Sequence, residues 1–209
     1  MADPLRWRIA RELAVGDRRV RELVAALGQP QNLVSYHLKQ LRDAGLVTAR
    51  RSSFDGRDSY YHLDLGRYAA AWEGVALSSS PVSKVLFVCT GNSGRSPMAE
   101  ALLRHRAGHV EVRSAGSQPK PLHPNAIKAL KPYGITVEHE PTHLDAVRRK
   151  RFDLVITLCD RVREVLPAFA GKPRFAHWSI ADPAHDPDPD TAFQRTAEEL
   201  DGRIRLLEV

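Results

Sequence analysis

Cys89 and Arg95 stand six residues apart in "VCTGNSGRSPMAEALLR", residues 88–104, and Cys89 is one of only 2 cysteines in the 209-residue chain. A thiolate is a strong nucleophile, and a guanidinium is a planar fork that grips a tetrahedral oxyanion through paired N–H bonds. Between them lie Thr90, Gly91, Asn92, Ser93 and Gly94. Gly91, Asn92 and Gly94 tolerate positive φ, so this stretch is expected to curl with its N–H groups pointing inward. Ser96 then opens a helix, whose N-terminus adds partial positive charge. Residues 90–96 therefore read as an anion cradle that Arg95 closes. The same field stabilises a thiolate at Cys89, beneath the bound anion and in line to attack it. Ser93 or Ser96 can donate a hydrogen bond to that sulfur. The other common phosphate loop, G-x4-G-K-[ST], is excluded, because Gly91 and Gly94 are too close together and no lysine follows.

The elements around the cradle alternate. "KVLFVC" (84–89) is an apolar run of the kind buried in parallel sheets. "MAEALLRHRA" reads as a helix, "VEVRSAG" as a strand and "HPNAIKALKPYG" as a helix. "FDLVITLCD", "RVREVLPAF", "RFAHWSI" and a long final helix follow. This βαβα order predicts an α/β open parallel four-stranded sheet with helices on both faces, and ligands in such sheets bind at the strands' carboxyl ends, where Cys89 stands.

Before residue 77 the pattern is mainly α. Leu5, Ile9 and Leu13 make one helix face; Val20, Leu23, Val24 and Leu27 make a second, stopped by Gly28. Pro30 starts a third helix, which Gly45 ends, and an alternating stretch then turns at Asp55-Gly56 as a β-hairpin. A closing helix is expected at 66–76. Helices followed by a hairpin wing make a winged helix-turn-helix. Gln31, Asn32, Ser35, Tyr36 and Lys39 on the third helix carry donors and acceptors suited to base edges and phosphates. Arg50, Arg51 and Arg57 sit on the hairpin, where a wing meets the DNA backbone.

On "VSYHLKQLRDAGLV", residues 34–47, the N-terminal part resembles the ArsR-type family of bacterial repressors over roughly residues 3–75. The resemblance implies a dimer that binds an inverted-repeat operator. Arsenic-sensing members carry two thiolates flanking a valine at the start of the second helix; here that stretch is Arg19-Val20-Arg21, which excludes soft-metal ligation by this domain. His37 and His62 read as hydrogen-bonded histidines beside the core.

Residues 84–209 resemble the low-molecular-weight tyrosine phosphatase fold, in its arsenate reductase branch, on "VCTGNSGRSPMAEALL", "RSAG", "HPNAIKAL", "DLVITLCD" and "HWSIADPA". The resemblance implies Cys89 as nucleophile, Arg95 as oxyanion clamp and Asp182 as general acid. The chemistry agrees, since a leaving oxygen needs a proton and a carboxylic acid partly desolvated by Trp178 can supply it. Asp186, Asp188 and Asp190 read as a solvated acidic loop. Thioredoxin-coupled members of the branch use three cysteines. Cys159 matches the second, as a possible resolving thiol; the third falls at Leu166 and is absent, and a cradle cysteine of some members is Gly94 here. Some members also bind potassium through residues matching Asn92 and Glu100. The acidic third ligand is replaced near His143, so Asn92 is read as shaping the loop and no metal is expected.

The expected organisation is a DNA-binding domain at 1–76, a linker at 77–83 and a catalytic domain at 84–209. The net charge of +6 is shared evenly between the halves and marks neither. With no long apolar run or signal-like N-terminus, and too few cysteines for a disulfide framework, a cytoplasmic protein without membrane contact is expected. The expected function is a fused regulator and oxyanion enzyme acting on arsenate, phosphate or a phosphoester, with no tightly bound cofactor. Arsenate reduction would require an external thiol or a glutaredoxin- or thioredoxin-like reductant. The alternative is a non-catalytic regulator whose cradle senses the oxyanion.

Overall fold

The computed structural model describes residues 3–64, 66 and 82–207. The chain divides into two compact units, Met1–Ser79 and Ser80–Val209. Apart from Gly66, Val82 and Ser83, the closing helix expected at 66–76 and the linker expected at 77–83 lie outside the described residues.

In the first unit, α1 (Pro4–Val15), α2 (Val20–Leu27) and α3 (Gln31–Asp43) precede an antiparallel hairpin of β1 (Val47–Arg51) and β2 (Ser59–Leu63). Asp3 caps α1 by accepting from the N–H groups of Leu5 and Arg6. Gly28 ends α2 in the left-handed region at φ 62°. The apolar spacing read from the sequence becomes a core of Ile9, Leu13, Leu23, Leu27, Val34, Leu38, Leu41, Val47 and Leu63. Gln31, Asn32, Ser35, Tyr36 and Lys39 all remain exposed on α3, and Lys39 pairs with Asp43 at 2.7 Å. Arg51 and Arg57 are exposed and Arg50 half-buried on the hairpin. His37 is buried, but its Nδ1 lacks a hydrogen-bond partner and its Nε2 stands 3.9 Å from Asp3, so the hydrogen-bonded state expected of it is not found.

Arg19 and Arg21 have a structural use. Their guanidinium groups converge on Asp58 of the hairpin at 3.0 and 2.9 Å, and Arg19 also pairs with Glu22 at 3.1 Å. Burial works against the charge on Arg19, but Glu22 and Asp58 outweigh it and hold its pKa above the ordinary value. Backbone bonds between Arg18 and Tyr61 in both directions add to this tie between the start of α2 and the wing.

The second unit is a four-stranded parallel sheet in the order β4-β3-β5-β6, formed by β3 (Lys84–Cys89), β4 (Glu111–Gly116), β5 (Leu154–Thr157) and β6 (Arg174–His177). Its helices are α4 (Arg95–Arg106), α5 (Pro124–Leu130), α6 (Leu144–Val147), α7 (Asp160–Glu164) and α8 (Pro189–Ile204), with 3-10 turns at Lys131–Tyr133 and Pro183–His185. α8 packs on α4 and α5. The chain leaves β3 for β4 on one side and returns to β5 on the other, so the strand order reverses at β3, and Cys89 is its last residue. Among the described residues, no helix is long and apolar enough to cross a membrane.

Candidate active site

The loop from Cys89 to Arg95 owes its shape to its neighbours. The segment after β4 runs beside it: Gln118 N–H donates to Thr90 O, Lys120 N–H to Gly91 O and His123 N–H to Ser93 O, each at 2.8 Å. Three carbonyls are thus turned outward, and in a trans peptide the following N–H groups, of Gly91, Asn92 and Gly94, point the opposite way. The N–H of Asn92 reaches Cys89 Sγ at 3.2 Å.

The glycines work differently from the sequence expectation. In this loop only Asn92 takes positive φ, at 45°; Gly91 and Gly94 do not. At Gly94 the constraint comes from packing, since a Cβ there would stand 3.1 Å from Cε1 of Phe193, whose ring stacks on His123 at 4.5 Å and would have to shift to admit it. Gly116, beside Cys89 in the sheet register, is more constrained, because a Cβ would lie 2.6 Å from Thr90 O.

Cys89 is buried, and its Sγ lies 3.0 Å from Ser96 Oγ. Asn92 Nδ2 donates to Ser96 Oγ at 3.0 Å and to Ser114 Oγ at 2.9 Å, and Ser114 Oγ donates to Glu100 at 2.6 Å. Ser96 Oγ therefore accepts from Asn92 and keeps its own proton for the sulfur, as a thiolate requires. Of the two serines named as donors, Ser96 makes the contact. On its other side Asn92 Oδ1 accepts from Thr142 N–H at 2.7 Å and faces His139 Nε2 at 3.0 Å. His139 has Nδ1 3.9 Å from Glu100, while His143, four residues on, meets Ser117 O. The oxygens of Asn92 and Glu100 that a potassium ion would use are engaged by Thr142, Ser114 and this imidazole. These residues do not fit the ion, and no step is drawn through it.

Arg95 opens α4 and is buried, with its guanidinium fixed by two acceptors from one distant segment: Nη1 donates to Ile180 O at 2.9 Å and Nη2 to Asp182 Oδ2 at 2.7 Å. Asp182 is thus brought to the clamp, while Asp186 pairs with Arg195 and Asp190 with Lys128. The Asp182 side chain is 40% exposed, and Trp178, four residues before it, is buried with its ring against Phe87 and Arg203. Cys159 caps α7, with Sγ 3.3 Å from Thr90 Oγ1. Burial pushes its thiol pKa up, and the neighbouring Cys89 adds to this against the pull of Arg95. Leu166, where the third relay cysteine is missing, packs half-buried on the core.

Residues missed from the sequence include His139, Ser114, Ile180 and the 118–123 segment. Their separations from the loop are long, and the reading near His143 fell within four residues of one of them.

Residues 84–208 match the family model for low molecular weight phosphotyrosine protein phosphatases, and residues 3–49 match that for bacterial regulatory proteins of the arsR family. The chain is 35% identical over 127 residues to an arsenate reductase of Halalkalibacterium halodurans, covering 58% of this chain and 91% of that protein. An arsenate reductase of Bacillus subtilis is 34% identical over 127 residues, with the same shares of 58% and 91%. A solved low molecular weight protein tyrosine phosphatase from T. tengcongensis superposes with a TM-score of 0.51 at 30% identity, over 59% of this chain and 95% of that one. The arsenate reductase of Archaeoglobus fulgidus gives a TM-score of 0.50 at 28% identity, over 58% and 95%. A cysteine cradle at the switch point of a parallel sheet and these matches lead to one conclusion: the chain belongs to the low molecular weight phosphotyrosine protein phosphatase family, with an arsR-family helix-turn-helix at residues 3–49.

Proposed function

We propose that this protein reduces arsenate at Cys89 and binds operator DNA through its winged helix. The observation that carries the enzymatic reading is the sulfur of Cys89 held by Ser96 Oγ and Asn92 N–H in a loop that Arg95 closes. The naming of its relatives as arsenate reductases supports arsenate as the oxyanion.

The chemistry follows from the geometry. An entering oxyanion takes Nη2 of Arg95 from Asp182 and receives the inward N–H groups of the loop. Released from the guanidinium, Asp182 faces the leaving oxygen as the general acid. The Cys89 thiolate attacks arsenic, forming an S–As bond, and one oxygen departs as water with the proton of Asp182. A second thiolate then attacks Cys89 Sγ; the S–As electron pair goes to arsenic, which leaves as arsenite, and a disulfide remains. Another thiol reduces that disulfide, so two thiols are oxidised for each arsenate reduced. An external thiol or glutaredoxin-like partner fits this role, because burial keeps the Cys159 thiol protonated through neutral pH. The closeness of Cys159 to Thr90 supports a second reading, in which it resolves the adduct itself. With a phosphoester the same first step gives a phosphocysteine that water hydrolyses.

The full chain is assayed with arsenate against a low-molecular-weight thiol plus glutaredoxin, against thioredoxin, and with an aryl phosphate. Thiol-dependent arsenite release that survives Cys159→Ser is the expected result. Loss of thioredoxin-coupled reduction on Cys159→Ser favours the internal thiol. Oxyanion binding without turnover of any substrate would replace the enzyme by a sensor.

For the DNA-binding part, residues 1–76 are read as one domain, and the exposed α3 face and hairpin arginines as its contacts. Band shifts with inverted-repeat DNA, with the dimer measured by sedimentation, test both.

A further inference from the structure

The end of the sheet beside the cradle holds a buried polar cluster that the reaction above leaves unused. His177, the last residue of β6, is buried and bridges two groups: its Nδ1 lies 2.8 Å from Thr157 Oγ1 at the end of β5, and its Nε2 lies 3.1 Å from Asp160 Oδ1. Ser179 Oγ donates to the same Asp160 oxygen at 2.7 Å. All four side chains are at least nine-tenths buried. A carboxylate withdrawn from water this far is costly unless its bonds are satisfied, so the cluster has one low-energy arrangement and resists displacement.

Its place in the chain matters. Asp160 follows Cys159 and begins α7. Ser179 directly precedes Ile180, whose carbonyl holds Nη1 of Arg95, and stands three residues before Asp182, which holds Nη2. The segment 178–182 is held inward by the buried side chains of Trp178 and Ile180 and by the Ser179–Asp160 bond, and it reaches the clamp through Ile180 O and Asp182 Oδ2. Trp178 N–H donates to Thr157 O at 2.8 Å and Ile180 N–H to Trp178 O at 2.9 Å, and the Ser179–Asp160 bond ties the turn that these close to the start of α7.

We infer that Asp160, acting through Ser179, is a positioning residue that sets the segment carrying Ile180 O and Asp182, and with it the aim of the general acid. The inference rests on the proposed roles of Arg95 and Asp182. A general acid contributes roughly a hundredfold or more to a proton transfer, and an ångström of misplacement removes much of that. The loss appears where the leaving group needs the proton most. A merely structural bond would lower all substrates alike.

The test compares phenyl phosphate, whose leaving group is strongly basic, with 4-nitrophenyl phosphate, whose leaving group departs without help. Ser179→Ala is used because Asp160→Ala leaves His177 without its partner and threatens folding. The expected result is a fall of about tenfold in kcat for phenyl phosphate and under about twofold for 4-nitrophenyl phosphate, with rescue by Ser179→Thr. Equal losses on both esters, or none, would overturn the inference. If the wild-type chain hydrolyses neither ester, the phosphatase chemistry fails separately, and inorganic phosphate binding by calorimetry then decides. Weakening by about fivefold in Ser179→Ala supports an Arg95 aimed through Ile180 O, and unchanged affinity refutes it.

Discussion

Arginine–carboxylate pairs stand at the starts of two helices in this molecule, one in each unit. At α4, Arg95 is met by Asp182; at α2, Arg19 and Arg21 are met by Asp58. The contacts are alike in length, but the surroundings differ. Asp58 has two guanidinium groups on one oxygen, and Arg19 has Glu22 as well, so the cluster is closed on itself and joins α2 to the wing. Arg95 ends the loop that begins at the buried Cys89, and its carboxylate partner is 40% exposed. An anion entering there gains the whole loop in exchange for Asp182. In the proposed mechanism the same pairing is a tie in one place and a clamp in the other, and the difference lies in what surrounds the arginine.

Removing the sulfur that the clamp serves should have the largest effect. Cys89→Ser is expected to lower turnover by at least about a thousandfold while phosphate still binds within a few-fold of wild type, measured by steady-state assay and calorimetry. Wild-type turnover in that variant would remove the sulfur from the mechanism.

Next comes one glycine in each unit. Gly116→Ala forces a Cβ to 2.6 Å from Thr90 O, inside the cradle's frame, and should cost about 3 kcal/mol in a thermal melt along with oxyanion binding. Gly28→Ala in the first unit meets no atom within 4 Å and bears only the strain of φ 62°, about 1 kcal/mol. A similar cost at both sites would mean that the cradle's frame yields.

The contrast also sets what arsenite does to DNA binding. Because Arg19 and Arg21 stand where related sensors carry thiolates, a full-length Cys89→Ser, Cys159→Ser double variant should keep its operator affinity in micromolar arsenite. Release in a band-shift titration would show an input site in the first unit. In the same assay Lys39→Ala should weaken binding several-fold and reduce the salt slope by about one.

The smallest effect belongs to the tie itself. Asp58→Ala leaves two guanidinium groups without this carboxylate and should destabilise the first unit by about 1 kcal/mol, while exposed Arg21→Ala stays within about 0.5 kcal/mol, both by denaturant titration. If Arg21 proves as costly as Asp58, the cluster works as a network and not as one carboxylate held by Arg19.

Cys89-x5-Arg95 was legible in the sequence because all of its parts lie in one turn, where residue type and spacing decide local geometry. The same holds for the four parallel strands, for the apolar faces of α1 to α3 and for Gly28, since periodicity and φ preference act over a few residues. The missing third cysteine at Leu166 needed only a comparison of positions. Tertiary structure decided the rest. Whether Gly94 serves φ or packing depends on Phe193, about a hundred residues on, and which histidine reaches Asn92 depends on the path of the chain before α6. Arg95 finds Ile180 and Asp182, and Asp160 finds His177 and Ser179, only after β5 and β6 have paired. Contacts between residues far apart in sequence leave no periodic trace, because they are chosen by the packing of the sheet and not by any local preference of the residues that make them.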